Sequence, residues 1–316
     1  MKILNLFVIA ILLLLLTVCQ KEEQTSKLQE SEDSLQAKYE IALVMKTLTN
    51  PFFITMEKGA REAEKEFDIN LTVKTGSQET AINQQIDIIR KLIESKVHAI
   101  VIAPASSVEL VPILAQAQQA GIVIVNIDNK LDHETSANYN LKDVPFISVD
   151  NEEGAYLSAK YISKDVTKPT KAVILEGIRS AQNGIDRKHG AMRAFNENKN
   201  IKVVASKTAN WKIDEAYEVF QNMWKENKDI ELVFCSNDMM ALGVVQYLLE
   251  NKIENVKIAA FDNIEEIRPL LQSGEVSVTI DQQAKVQGYK GIETAIKLLN
   301  NEQVNDVTVS VLKVTE

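Results

Sequence analysis

From Tyr39 onward the sequence alternates short runs rich in Val and Ile with longer stretches of helical period. "EIALVM" (40–45) reads as a strand, 52–67 as a helix and "NLTVKT" (70–75) as the next strand. Within 80–94, Ile82, Ile86, Ile89 and Ile93 recur at helical spacing. "HAIVIAP" (98–104) and "IVIVNID" (122–128) read as strands around a helix at 107–119. The second half repeats the scheme, with strands expected at 145–149, 171–175, 201–205, 231–235 and 256–261. Helices fall between them, including 214–226, where Ala216, Val219, Phe220 and Met223 share a face. Strands that are apolar throughout mean parallel sheets covered on both faces by their crossover helices. The strands are too many for one comfortable sheet of this type. The expected fold class is therefore α/β, as two doubly wound parallel-sheet lobes.

The N-terminus stands outside this pattern. "MKILNLFVIAILLLLLTVCQ" has one Lys and then an apolar run, Asn5 apart, from Ile3 to Leu16, which is short for a membrane span and fits a secretory signal. The run ends at Val18-Cys19, and the chain turns polar at once. This pattern resembles a bacterial lipoprotein signal (1–18) with Cys19 as the lipidated residue, although Val18 is bulkier than the residue usual before such a Cys. Residues 19–38 hold almost no apolar side chains after Cys19 and are expected to form a flexible tether. The formal net charge of −9 argues against a nucleic-acid partner, whose phosphates require Lys and Arg, and against electrostatic binding to anionic lipid. Cys235, within "ELVFCS", is expected to be a small buried strand residue.

Polar residues cluster where strands end. Asn50, Phe52 and Phe53 follow the first strand, Asp128 and Asn129 the fourth, Asn237 and Asp238 follow "ELVFCS", Asp262 and Asn263 follow "VKIAAF", and Gln282 follows "SVTID". In open α/β sheets ligands sit beyond the carboxyl ends of strands. Each Asn or Asp taken alone reads first as a helix cap, and it is the five such turns together that point to a site. Two adjacent Phe must point in different directions, so one is expected to face a cleft while the other can be core. No phosphate loop, G-x-S-x-G, H-E-x-x-H or C-x-x-C occurs, and His98, His133 and His189 are scattered. The chain is expected not to be an enzyme, to hold no metal and to need no cofactor.

Four stretches, "LTNPFF" (48–53), "IDNK" (127–130), "SNDMMALG" (236–243) and "AFDN" (260–263), resemble the type I substrate-binding proteins of ABC importers, the ribose-binding group and its sugar-binding relatives. The resemblance spans Tyr39 to the end. The third stretch also occurs in LacI-type repressors, but a signal segment stands here where those carry a DNA-binding unit. The resemblance implies a three-strand hinge, with a first lobe of 39–149 plus 283–308 and a second of 150–282 plus 309–316. It implies a site for a monosaccharide or polyol made by Asn50, Phe52, Phe53, Asp128, Asn129, Arg187, Trp211, Asn237, Asp262 and Gln282. Asn129 stands where ribose binders carry Arg, and Trp211 where they carry Phe, departures that lean toward a hexose or polyol. The implied partner is an ABC transporter permease, and the implied form a lipid-anchored monomer on the outer face of a bacterial membrane. A sensory binding protein presenting a sugar-like signal to a kinase or chemoreceptor, and an extracytoplasmic enzyme on the same fold, are the competing readings.

Overall fold

The computed structural model describes residues 38–315, so the signal segment, Cys19 and the tether up to Ala37 lie outside the described residues. Two parallel sheets organise the rest. The first has the order β11-β5-β4-β3-β1-β2, and the second β7-β6-β8-β9. The first sheet comprises β1 (Glu40–Met45), β2 (Asn70–Thr75), β3 (Ala99–Ile102), β4 (Val123–Ile127), β5 (Phe146–Val149) and β11 (Val307–Val309). Its helices are α1 (Pro51–Glu66), α2 (Ile82–Glu94), α3 (Val111–Gln119), the short α4 (His133–Asn138) and, late in the chain, α10 (Ala284–Leu299).

Successive β1 residues show why both faces must be covered. Ile41, Leu43 and Met45 join one core, with Phe52, Phe53 and Met56 of α1 and Ile292 of α10. Ala42 and Val44 join another, with Ile89 of α2 and Leu114 of α3. A strand apolar on both faces forfeits burial unless helices lie on each side. The first face is closed by α1 and α10, which cross almost backbone to backbone. A Cβ on Gly288 would stand 2.0 Å from the Met56 carbonyl oxygen, and one on Gly59 1.8 Å from that of Lys285.

The second sheet comprises β6 (Thr170–Glu176), β7 (Ile201–Thr208), β8 (Ile230–Cys235) and β9 (Lys257–Ala259). It is flanked by α5 (Asn151–Ser163), α6 (Gln182–Asn196), α7 (Ile213–Glu226), α8 (Asp238–Glu250) and the short α9 (Arg268–Ser273). Cys235 ends β8 fully buried, and burial pushes its thiol well up. β10 (Thr279–Asp281) pairs antiparallel with β12 (Leu312–Val314). The chain thus leaves the first sheet after β5, builds the second, and returns through α10 to place β11 beside β5.

The mixed α/β class with two helix-covered parallel sheets agrees with the apolar-run reading. Several boundaries differ: the strand expected at 201–205 runs on to Thr208, and the one expected at 256–261 spans only Lys257–Ala259. The helix expected from 107 begins at Val111, because Ser106 Oγ accepts the Val108 and Glu109 amides and holds 107–110 as a turn.

Candidate functional site

Eight chain segments at the carboxyl ends of strands converge on a buried cavity. Its lining is Lys46, Asn50, Phe52, Phe53, Glu79, Asp128, Asn183, Arg187, Trp211, Asn237, Asp262 and Gln282. The most exposed of them, Glu79, is only 8% accessible. A larger open groove lies elsewhere, between Tyr161, Lys257 and Ser277, with no comparable set of buried polar groups.

The first sheet supplies one wall. Asn50 caps α1, its Oδ1 accepting the Phe52 amide at 3.0 Å, while its Nδ2 donates to Glu79 Oε1 at 2.9 Å. The residue is both cap and wall. Phe52 and Phe53 stand edge to face, 5.1 Å between ring centres and 78° apart, so both serve the core and both line the cavity. Lys46, just past β1, sets its Nζ 2.8 Å from Asp128 Oδ2 and 5.6 Å from the Phe53 ring centre. Burial pushes the Glu79 carboxyl up to about 7, against the pull of Lys46 and the Asn50 amide.

The second sheet supplies the facing wall, and Arg187 is its hub. The guanidinium donates to Asn151 Oδ1 (2.8 Å), Ser236 O (2.9 Å), Asp262 Oδ1 (3.4 Å) and Gln282 Oε1 (3.2 Å), and its carbon lies 3.9 Å from the Phe261 ring centre. Gln282 Nε2 closes the circuit to Asp262 Oδ1 at 2.6 Å. Burial drives the Asp262 carboxyl well above the usual range, with Arg187 opposing and Asp238 and Glu79 reinforcing the rise. Asn237 caps α8 through Oδ1 and donates its Nδ2 to the Trp211 carbonyl at 3.3 Å. Asp238 does not line the cavity. It ties β10 and the loop after β9 to α8 by accepting from Thr279 Oγ1 (2.7 Å) and the Ile264 amide (2.9 Å), and burial pushes it up to about 7.

Trp211 has φ +67° and Asn210 φ +49°, conformations that cost a non-glycine residue about 1–3 kcal/mol each and persist where packing holds them. The indole is buried, and its Nε1 has no hydrogen-bond partner; Asn183 Oδ1 is likewise buried and unpartnered. An unpaired buried donor and acceptor on one cavity wall suit a ligand group able to give and take a proton.

Of the residues expected from the sequence, Asn50, Phe52, Phe53, Asp128, Arg187, Trp211, Asn237, Asp262 and Gln282 all reach the cavity, and Asn129 does not. Asp128 has φ +63°, which turns the next side chain away. Asn129 Nδ2 donates to Pro104 O, and its Oδ1 accepts Ser107 Oγ (3.3 Å) and the Asn183 amide (3.2 Å). Beside it the Ser107 amide donates to Ser180 O (2.9 Å), the Gln182 amide to Ser107 Oγ (3.0 Å), and Asn183 Nδ2 to Asp128 Oδ1 (3.4 Å). These bonds join the loops of one sheet directly to those of the other. Sequence reasoning missed Lys46, Glu79 and Asn183, whose one signal was their place past the ends of β1, β2 and β6.

Among the described residues no cluster of three His, Cys, Asp or Glu is arranged to hold a metal ion, and no helix is long and apolar enough to cross a membrane. Residues 41–303 match the family of the periplasmic binding protein domain. A D-ribose/D-allose-binding protein of Pseudomonas aeruginosa is 40% identical over 262 residues, which are 82% of each chain. The D-allose-binding periplasmic protein of Escherichia coli is 31% identical over 81% of this chain and 83% of its own. Among solved structures, an ABC transporter periplasmic solute-binding protein of Actinobacillus succinogenes with bound D-allose superposes with a TM-score of 0.82 at 35% identity, covering 88% of this chain and 97% of its own. With the match spanning both sheets and the loops that meet between them, this chain belongs to the periplasmic binding protein domain family, as an extracytoplasmic solute-binding protein.

Proposed function

We propose that this protein captures a pyranose aldose of the D-ribose/D-allose type in the closed cavity and hands it to an ABC importer. The observation that carries this is the pairing of three aromatic walls, Phe52, Phe53 and Trp211, with a ring of buried carboxylates, amides and cations. Aromatic faces cover the C–H faces of a sugar ring. Hydroxyls, each donor and acceptor, suit Asp128, Glu79 and Asp262 as acceptors, and Lys46, Arg187 and the amides as donors. Asn129 no longer speaks against ribose, because it does not face the cavity. The relatives named for D-ribose and D-allose support both sugars.

Uptake and release require the lobes to part, and the proposed hinge crosses near 149–150, 282–283 and 308–309. A ligand touching both walls binds the closed form better and shifts the population toward it. Cys19 carries a lipid anchor in this reading, and the protein acts as a monomer beside the membrane. Titration calorimetry with D-ribose, D-allose, D-glucose and myo-inositol tests the ligand class. Micromolar or tighter binding of D-ribose or D-allose is expected, and no heat with either at millimolar concentration would refute it. Cys19→Ala should release the protein into the soluble extracytoplasmic fraction or leave it as an uncleaved precursor; unchanged fractionation would refute the anchor.

A further inference from the structure

Gly177 follows directly on β6, and the six-membered edge of the Trp211 indole lies against its backbone. A Cβ at 177 would stand 2.0 Å from both Cη2 and Cζ2 of the ring and 2.5 Å from Cε2, where ordinary contact is 3.4–4 Å. Gly184 lies under the same edge, its Cβ position 3.2 Å from Trp211 Cζ2. The seat is fixed from behind. Thr208 Oγ1 donates to Gly177 O and accepts the Asn210 amide at 3.3 Å, and Asn237 Nδ2 holds the Trp211 carbonyl. The open side of this packed ring is the cavity.

We infer that Gly177 determines whether the cavity admits a hydroxymethyl group on the sugar ring, by letting the Trp211 indole lie back against its Cα. This deepens the aldose reading and rests on it. D-Ribopyranose and D-allopyranose present the same ring hydroxyls and differ by one hydroxymethyl group. The unpartnered Trp211 Nε1 can donate a hydrogen bond to that extra hydroxyl and Asn183 Oδ1 can accept one from it. Asn183 and Trp211 both line the cavity, and Asn183 directly precedes the Gly184 that the indole covers. A methyl at 177 obliges the indole to move by roughly 1.5 Å to regain contact distance, and the room it takes is that of the hydroxymethyl.

The test compares the parent, Gly177→Ala, Trp211→Phe and the double variant by calorimetry with D-ribose and D-allose. Gly177→Ala should lower the affinity for D-allose at least tenfold more than that for D-ribose, the scale of a lost methylene-sized subsite. In the Trp211→Phe background, where the smaller ring leaves the shelf uncovered, the same change should alter the ratio less than threefold. If Gly177→Ala does not fold, the crystal structure of the parent with D-allose decides: its hydroxymethyl group should lie against the Trp211 indole, and a hydroxymethyl group placed elsewhere in the cavity overturns the inference. An equal loss for both sugars, or an unchanged ratio in the Trp211 background, overturns the inference while leaving the aldose reading intact. A parent that binds neither sugar removes the aldose reading, and the inference with it.

Discussion

Arg187→Ala is the perturbation for which the structure makes the sharpest claim. The resemblance casts Arg187 as a ligand contact. The structure adds four acceptors from separate segments, Asn151, Ser236, Asp262 and Gln282, all buried. Removing one partner of a buried, hydrogen-bonded charge costs about 3–5 kcal/mol, most of it from the groups left behind. For a chain of this size each kcal/mol moves the melting temperature by about 2–4 °C, so the sugar-free variant should melt roughly 10 °C below the parent. The pH dependence isolates the cause. Asp262 already sits well above the usual carboxylate range through burial, with Arg187 pulling it down. Without Arg187 it rises further. A carboxyl raised on folding stabilises fully below its unfolded value, and that stability is lost as pH climbs through the folded value. The deficit of Arg187→Ala should therefore be larger at pH 8 than at pH 5.5, and Arg187→Ala/Asp262→Asn should recover part of it at pH 8. Differential scanning calorimetry without sugar reads both. Equal deficits at the two pH values, or loss of sugar binding with an unmoved melting temperature, would refute the hub.

Glu79, pushed up to about 7 from an ordinary 4.5, makes the sugar-free closed form lose about 3 kcal/mol as pH rises through that window, and Glu79→Gln should flatten part of the fall in melting temperature between pH 5 and 8. Asp238, also near 7, keeps the remainder. Asn129→Ala should weaken D-ribose and D-allose by the same factor, about 5- to 30-fold for one or two lost hydrogen bonds, mainly by faster release; a sugar-dependent loss would put Asn129 back in the cavity. Lys46→Met leaves Asp128 without its 2.8 Å partner and should cost affinity at least 100-fold, read by calorimetry. Gly288→Ala drives a methyl to within 2.0 Å of the Met56 carbonyl and should destabilise by about 1–3 kcal/mol, seen as a lower urea midpoint with unchanged slope.

The layer architecture was legible because a strand buried on both faces leaves a continuous apolar run, and β1, β3 and β6 are of that kind. The three-residue strands β10, β11 and β12 are too short to carry a period. The turn at 107–110 escaped because its cause, a Ser106 hydroxyl taking two amides, competes with a helical pattern that runs through it. At the site, cap and wall looked like alternatives for Asn50 and Asn237. An Asn side chain has an oxygen to cap with and an amide left to aim elsewhere, and both residues do both. Asn129 was misplaced because sequence adjacency to Asp128 says nothing of direction once the backbone turns left-handed. Lys46, Glu79 and Asn183 carry no local signature; they become visible only when the sheets bring the loops together.

That convergence explains why such a cavity can work as a trap. Closing it without sugar strips water from Glu79, Asp128 and Asp262 while Lys46 and Arg187 are, among the described residues, the only cations lining it, and the raised Glu79 and Asp262 carboxyls register the cost. Against that cost the loops offer a few direct bonds around Ser107, Asn129 and Asn183, each worth about 1 kcal/mol. In the proposed reading a polyhydroxylated ring changes the balance, its hydroxyls taking the place of the lost water at the buried acceptors and partnering the orphaned Trp211 and Asn183 atoms. The ligand therefore supplies a free energy that exists only in the closed form, which is the condition for a population shift. The direct bonds set how far the sugar-free protein leans toward closing, and the charges set how much of the closing is left for the sugar to drive. On this proposal a transporter that reads the closed shape reads occupancy, because the acids assigned to the hydroxyls are the same groups that resist closing without them.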